Sequence, residues 1–247
     1  MNAIFYGFLG SFIAGLATTL GALPLFIIKN PSRAALDFML GISAGIMLAA
    51  TIFSLLIPAM DIGGITITVI GFLAGAIFLN YMEKFIPHYH VEKGYEGPPS
   101  RMRKIWLFVL AITLHNFPEG LAVGVSFGGN QIQNGISLTI AIGLQNIPEG
   151  LAVAAALISE GKSIWYATTI TFLSGIVEPI GGLLGAGIVS IMLPLYPFFL
   201  SFAAGAMFFV ISDEIIPETH KGGYERLATF GIIAGFVVML ILDNALG

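Results

Sequence analysis

Cysteine is absent from the 247 residues, which excludes disulfides, thiolate metal sites and cysteine nucleophiles. Charge is nearly as scarce. Asp, Glu, Lys and Arg make up 10% of the chain, where a soluble domain carries about a quarter. Ten basic and fourteen acidic residues cannot wet the surface of a globule this size. The net charge of −4 offers no basic field to a polyanion, so no nucleic-acid partner is expected. What is present is apolar: 57% of residues are hydrophobic and mean hydropathy is +0.94. The composition is that of a polytopic membrane protein whose partner is the lipid bilayer. Glycine, at 31 residues, and proline, at 12, suit it, because membrane helices tolerate both and pack closely through small residues. The N-terminal run Met1–Phe26 lacks the basic flank of a signal peptide and reads as a retained first helix.

A span needs about 20 mostly apolar residues. Polar breaks divide the chain into eight such segments, at residues 3–28, 34–59, 65–84, 104–127, 133–159, 163–190, 195–217 and 225–246. The fold expected is therefore an all-α integral membrane protein, one transporter domain over residues 1–247. Turn residues mark the breaks, among them Asn30-Pro31-Ser32, Gly63-Gly64, Gly128-Gly129-Asn130, Gly161-Lys162 and Gly222-Gly223. The one long linker, residues 85–103, carries Pro98-Pro99 and mixed charge, and reads as a mobile loop. Basic residues test the count. Lys29, Arg33, Lys84, Lys93, Arg101, Arg103, Lys104, Lys162, Lys221 and Arg226 all fall in odd-numbered connections or at the span ends beside them. Lys and Arg favour cytoplasmic loops. Eight spans in the cell (inner) membrane, with both termini outside and the 85–103 loop in the cytoplasm, satisfy that bias without exception.

Repetition is visible too. His115-Asn-Phe-Pro-Glu-Gly-Leu-Ala-Val123 matches Gln145-Asn-Ile-Pro-Glu-Gly-Leu-Ala-Val153. More weakly, Ala44-Gly45-x-Met47 ahead of Ile57-Pro58 matches Ala204-Gly205-x-Met207 ahead of Ile216-Pro217. Spans two and seven run oppositely, which predicts an inverted 3+2+3 repeat of the kind that flanks a midplane site in transporters.

Five acids lie inside spans and away from their ends, Glu119, Glu149, Glu178, Asp213 and Glu214; the other nine sit in loops or near span ends. A charge at the bilayer centre costs roughly 2.5–3.5 kcal/mol on insertion scales, and no Lys or Arg lies away from the span ends to offset it. Protonation, hydrogen bonding or a bound cation must do so. His115 and Gln145 lie about eleven and twelve residues into spans four and five, near the midplane, and Glu178 is at similar depth in span six. His115 and Glu119 are four apart on one helical face, as are Gln145 and Glu149. Together they offer an imidazole, an amide and two carboxylates. Asn116, Asn146 and Glu178 lie alongside and could hold a second ion, with Glu119 and Glu149 bridging. Such donors suit zinc, and also iron, manganese or cobalt. Pro118, Pro148 and Pro179 would each free a carbonyl one turn earlier, on Leu114, Leu144 and Gly175. Alone, either motif could be interhelical hydrogen bonding; two copies at one depth beside Glu178 favour a metal. Gly41/Gly45, Gly71/Gly75, Gly181/Gly185 and Gly231/Gly235 need only tight packing. Asp213 and Glu214, with Glu218 and His220 beyond, could form an exit path or be interfacial acids. His88 and His90 could catch metal in the loop, although a pair of loop histidines carries no specific role by itself.

HNFPEG and QNIPEG on successive spans resemble the paired metal-binding helices of the ZIP family (Zrt/Irt-like proteins), in its prokaryotic branch. The likeness covers the eight spans, the long loop between spans three and four, and the Val177-Glu178-Pro179 of span six. It implies a carrier of zinc, and of iron, manganese, cobalt or cadmium, into the cytoplasm, with no catalytic cofactor and no enzymatic activity. It assigns His115, Glu119, Gln145 and Glu149 to a first metal. A second falls to Asn116, Asn146 and Glu178 with the two bridging glutamates. It also implies a homodimer, and movement of spans 1, 4, 5 and 6 against 2, 3, 7 and 8. An intramembrane metallohydrolase would need a general base, yet no HExxH is present. A proton- or sodium-coupled carrier would explain the acids but not the matched His/Gln–Glu spacing.

Overall fold

The structure is a computed structural model that describes residues 3–28, 31–85, 88–90, 94–96, 104–128 and 131–246. Ten α-helices carry most of them: α1 (Ala3–Leu20), α2 (Arg33–Ala50), α3 (Ile57–Phe85), α4 (Lys104–Ser126), α5 (Ile132–Ser159), α6 (Ile164–Gly175), α7 (Val177–Ile191), α8 (Tyr196–Val210), α9 (Ile216–Thr219) and α10 (Glu225–Leu246). Among the described residues, seven stretches are long and apolar enough to cross a membrane. This is a multi-pass, helical membrane protein.

The helix boundaries follow local chemistry. Ser32 and Ser163 cap α2 and α6, their hydroxyls accepting from the amides of Ala35 and Tyr166 at 3.2 Å, which satisfies one of the open donors of a first turn. Gly64, Gly161 and Gly223 take φ of 73°, 78° and 80°, the left-handed region that other residues enter at a cost. Gly64 interrupts α3 and with it the 50-residue apolar stretch Arg33–Met82.

Two helices depart from regular α geometry at matching places. A π-helical turn at Thr51–Leu56 follows α2, and another at Ile211–Ile215 follows α8. Each runs directly into an Ile-Pro pair, Ile57-Pro58 and Ile216-Pro217. Pro lacks the N–H that would close the preceding turn, and widening that turn is one way to accommodate it.

Span six is likewise not continuous. It breaks at Ile176, between α6 and α7. Pro179, read as freeing the Gly175 carbonyl within one helix, sits instead in the first turn of α7, where its missing N–H leaves nothing unpaired. The fold is all-α, with one short hairpin added in the linker. There His88–His90 pairs antiparallel with Gly94–Glu96, Tyr89 opposite Tyr95. The remainder of that linker, with Lys93, Arg101 and Arg103, lies outside the described residues, as do Lys29, Asn30, Gly129 and Asn130.

Burial sorts the helices. In the most apolar windows of α4 and α5, 72% and 67% of residues are buried, against 22% in α10. Ile65, Ile70, Leu73 and Ile77 of α3 and Phe230, Ile233, Val237 and Ile241 of α10 are exposed, and that apolar surface faces lipid. α4 and α5, the helices bearing the two repeated motifs, thus form the centre.

α2 packs on α10 and α3 on α8 through glycines. A Cβ at Gly45 would overlap the Ile232 carbonyl, and one at Gly75 that of Phe202. At one end of α2, Arg33 Nε lies 2.8 Å from the buried carboxylate of Asp37. Its Nη2 lies 3.2 Å from Glu218, which Lys221 also holds at 2.8 Å. The connections before α2 and after α9 therefore share one face.

Candidate metal centre

All seven residues expected at the midplane are buried: His115, Asn116 and Glu119 on α4, Gln145, Asn146 and Glu149 on α5, and Glu178. Pro118 and Pro148 lie inside continuous helices, so the Leu114 and Leu144 carbonyls lack their usual helical donors. Glu178 stands in the first turn of α7. A carboxylate is favoured there by the partial positive charge of a helix start, and the break at Ile176 creates that start.

Hydrogen bonds join part of the group into a chain. Ser43 Oγ of α2 lies 2.8 Å from Gln145 Oε1 and 2.7 Å from Glu149 Oε1. Gln145 Nε2 donates to Asn146 Oδ1 at 2.6 Å. Asn146 Nδ2 donates to Glu178 Oε1 at 2.6 Å and to the Ala14 carbonyl of α1 at 2.9 Å. On α4, Asn116 Nδ2 donates to the Ser174 carbonyl at 2.8 Å. His115 Nε2 lies 2.7 Å from Glu214 Oε1, which comes from the π-helical turn of the seventh span.

Within this group of seven residues, four buried oxygens have no hydrogen bond of good geometry: Asn116 Oδ1, both carboxylate oxygens of Glu119, and Glu178 Oε2. Gln145 also reaches towards Glu119, while its Nε2 donates to Asn146. A buried polar atom left unpaired costs about 1–3 kcal/mol. Hard oxygens of this kind, gathered on α4 and α7 within electrostatic reach of Glu149, suit a divalent cation. They do not close into a cage. Among the described residues, no three His, Asp or Glu side chains converge as ready-made ligands, because Ser43 and Asn146 draw Glu149 and Glu178 to different partners.

Of the outer residues, Asp213 and Glu214 are half-buried. Glu218 is held by Arg33 and Lys221, and His220 Nδ1 contacts the Ile216 carbonyl at 2.9 Å. His88 and His90 sit on the first strand of the hairpin. Sequence reasoning missed Ser43 and Asp37. Ser43 offered one signal, a hydroxyl about ten residues into span two and hence near the midplane.

The family described as "Zip: ZIP Zinc transporter" matches residues 90–243. The chain belongs to the ZIP zinc transporter family. It is 45% identical over 251 residues to "Zinc transporter GufA" of Myxococcus xanthus, covering 98% of this chain and 99% of that one. Identity to "Zinc transporter ZIPB" of Bordetella bronchiseptica is 44% over 255 residues, 98% of this chain and 82% of the relative. "Zinc transporter ZIP11" of Homo sapiens is 35% identical over 337 residues, covering 100% and 98%. Membership in the ZIP family places the chain among transporters rather than enzymes. The motif-bearing helices α4 and α5 both lie within the matched residues.

Proposed function

We propose that this protein carries zinc across the cell (inner) membrane into the cytoplasm through the centre between α4 and α5, with iron, manganese, cobalt and cadmium as further cargo. The observation that carries the reading is the joint burial of an imidazole, three amides and three carboxylates, four of whose oxygens have no hydrogen bond of good geometry. His115, Glu119, Gln145 and Glu149 take the first ion. Asn116, Asn146 and Glu178 take the second, with Glu119 and Glu149 shared between them. Cargo leaves past Asp213 and Glu214, and the 2.7 Å approach of Glu214 to His115 supports a hand-over there. Glu218 and His220 lie beyond, at the outlet.

The chain crosses the membrane eight times as a single transporter domain. The stretch Arg33–Met82, 50 residues, would be about 75 Å long as one helix, more than twice a hydrocarbon core of about 30 Å. The reversal falls at Gly63-Gly64. An inverted 3+2+3 repeat is supported by the paired π-helical turns and by the packing of α2 on α10 and α3 on α8. Both termini face outward and the molecule is a homodimer.

Uptake of radioactive zinc into proteoliposomes tests the reading. His115→Ala should abolish it, and undiminished uptake in that variant removes the site. Carboxylate ligands bind metal only when deprotonated, so zinc affinity should fall between pH 7.5 and pH 5. An affinity constant over that interval would rule out a carboxylate-rich centre.

A further inference from the structure

We infer that Ser43 is a positioning residue for the metal centre: its hydroxyl, delivered by α2, holds Gln145 and Glu149 of α5 in the orientation that receives the ion. The inference rests on the metal-carrying reading of the α4–α5 centre. Ser43 is fully buried, and its Oγ reaches both side chains, at 2.8 and 2.7 Å. Those two residues are one helical turn apart, and the single O–H proton serves one of their oxygens at a time. When it serves Gln145, that amide is fixed at both ends, its Oε1 at Ser43 and its Nε2 at Asn146. This decides which end of the amide, the oxygen or the nitrogen, points towards Glu149. Only the oxygen has a lone pair for a cation.

The hydroxyl also belongs to a different helix from the residues it holds. The π-helical turn that continues α2 meets α5 about 16 Å further along, where Asn134 Nδ2 donates to the Ser54 carbonyl at 3.1 Å. Two contacts at two levels give α5 one register on α2. Ser43 is the one that ends on proposed ligands, so it couples that register to the geometry of the site. Partners of this kind, which orient ligating side chains, typically contribute about 10–100-fold in metal affinity.

Calorimetric titration of the purified full-length protein with zinc tests this. Ser43→Ala should raise the zinc Kd about tenfold, while the metal-free protein still melts cooperatively. Ser43→Thr, which keeps the hydroxyl, should restore most of the affinity. A Ser43→Ala Kd within about twofold of wild type overturns the inference. So does a loss shared by Ser43→Thr and accompanied by a lowered midpoint, which would mark packing. Glu149→Gln separates the two levels. If it binds zinc as wild type does, the metal reading itself fails. If it loses zinc while Ser43→Ala does not, only the role of Ser43 fails.

Discussion

Glu119→Gln is expected to lose zinc at both positions of the proposed pair, its apparent affinity falling about 100-fold or more. The substitution keeps the shape of the side chain and removes its charge. Both Glu119 oxygens are buried without a hydrogen bond of good geometry, with Gln145 the amide that reaches towards them, so little of the polar network has to be rebuilt when the carboxylate goes. What goes instead is the charge that lies between two cations. Two divalent ions sharing a buried centre repel strongly at low dielectric, and a bridging carboxylate is what makes the second one tolerable. Asn116→Ala should behave differently. Asn116 belongs to the second position alone, and its loss should leave one zinc bound near wild-type affinity. Equilibrium dialysis of the purified variants, counting bound zinc per chain, separates these outcomes. A Glu119→Gln protein that still binds two zinc ions would remove the bridging role.

Much of this arrangement was legible before any coordinates. The turn glycines Gly64, Gly161 and Gly223 were readable as breaks, and all three take positive φ. The depth of His115, Gln145 and Glu178 followed from counting residues at a fixed rise, and all three are buried. What escaped the sequence depends on partners. Ser43 looks like one more small residue in Gly41-Ile-Ser-Ala-Gly45 until α5 is laid beside it. Asp37 read as a span-end acid, yet it is fully buried with Arg33 one turn away. The π-helical turns ahead of the two Ile-Pro pairs leave no compositional mark. Nor does the break at Ile176, because an apolar residue between two apolar runs is silent in any hydropathy pattern. The hairpin between α3 and α4 was missed because Pro-Pro and mixed charge say nothing about strand pairing a few residues earlier.

Gly120→Ala and Gly150→Ala should each destabilise the fold by about 2–3 kcal/mol, the upper part of the usual range for overpacking, and weaken zinc binding as well. These are the glycines of the two Pro-Glu-Gly motifs. A Cβ at Gly120 would overlap the backbone of Glu178, and one at Gly150 the Thr18 carbonyl. Neither neighbour is the flexible end of a side chain, so α4 must move from α7, or α5 from α1. The first movement carries Glu119 away from Glu178. The second separates Asn146 from the Ala14 carbonyl it holds at 2.9 Å. The glycine after each carboxylate thus lets a ligand-bearing helix approach a neighbouring backbone beside the site. Gly187→Ala is the control, since nothing lies within 4 Å of a Cβ there. Melting of the detergent-purified proteins without zinc, followed by zinc titration, is the measurement. Wild-type midpoints for Gly120→Ala and Gly150→Ala would show that these helices do not approach so closely. A lowered midpoint with zinc affinity intact would mean that the close approach serves packing alone and leaves the carboxylates where they are.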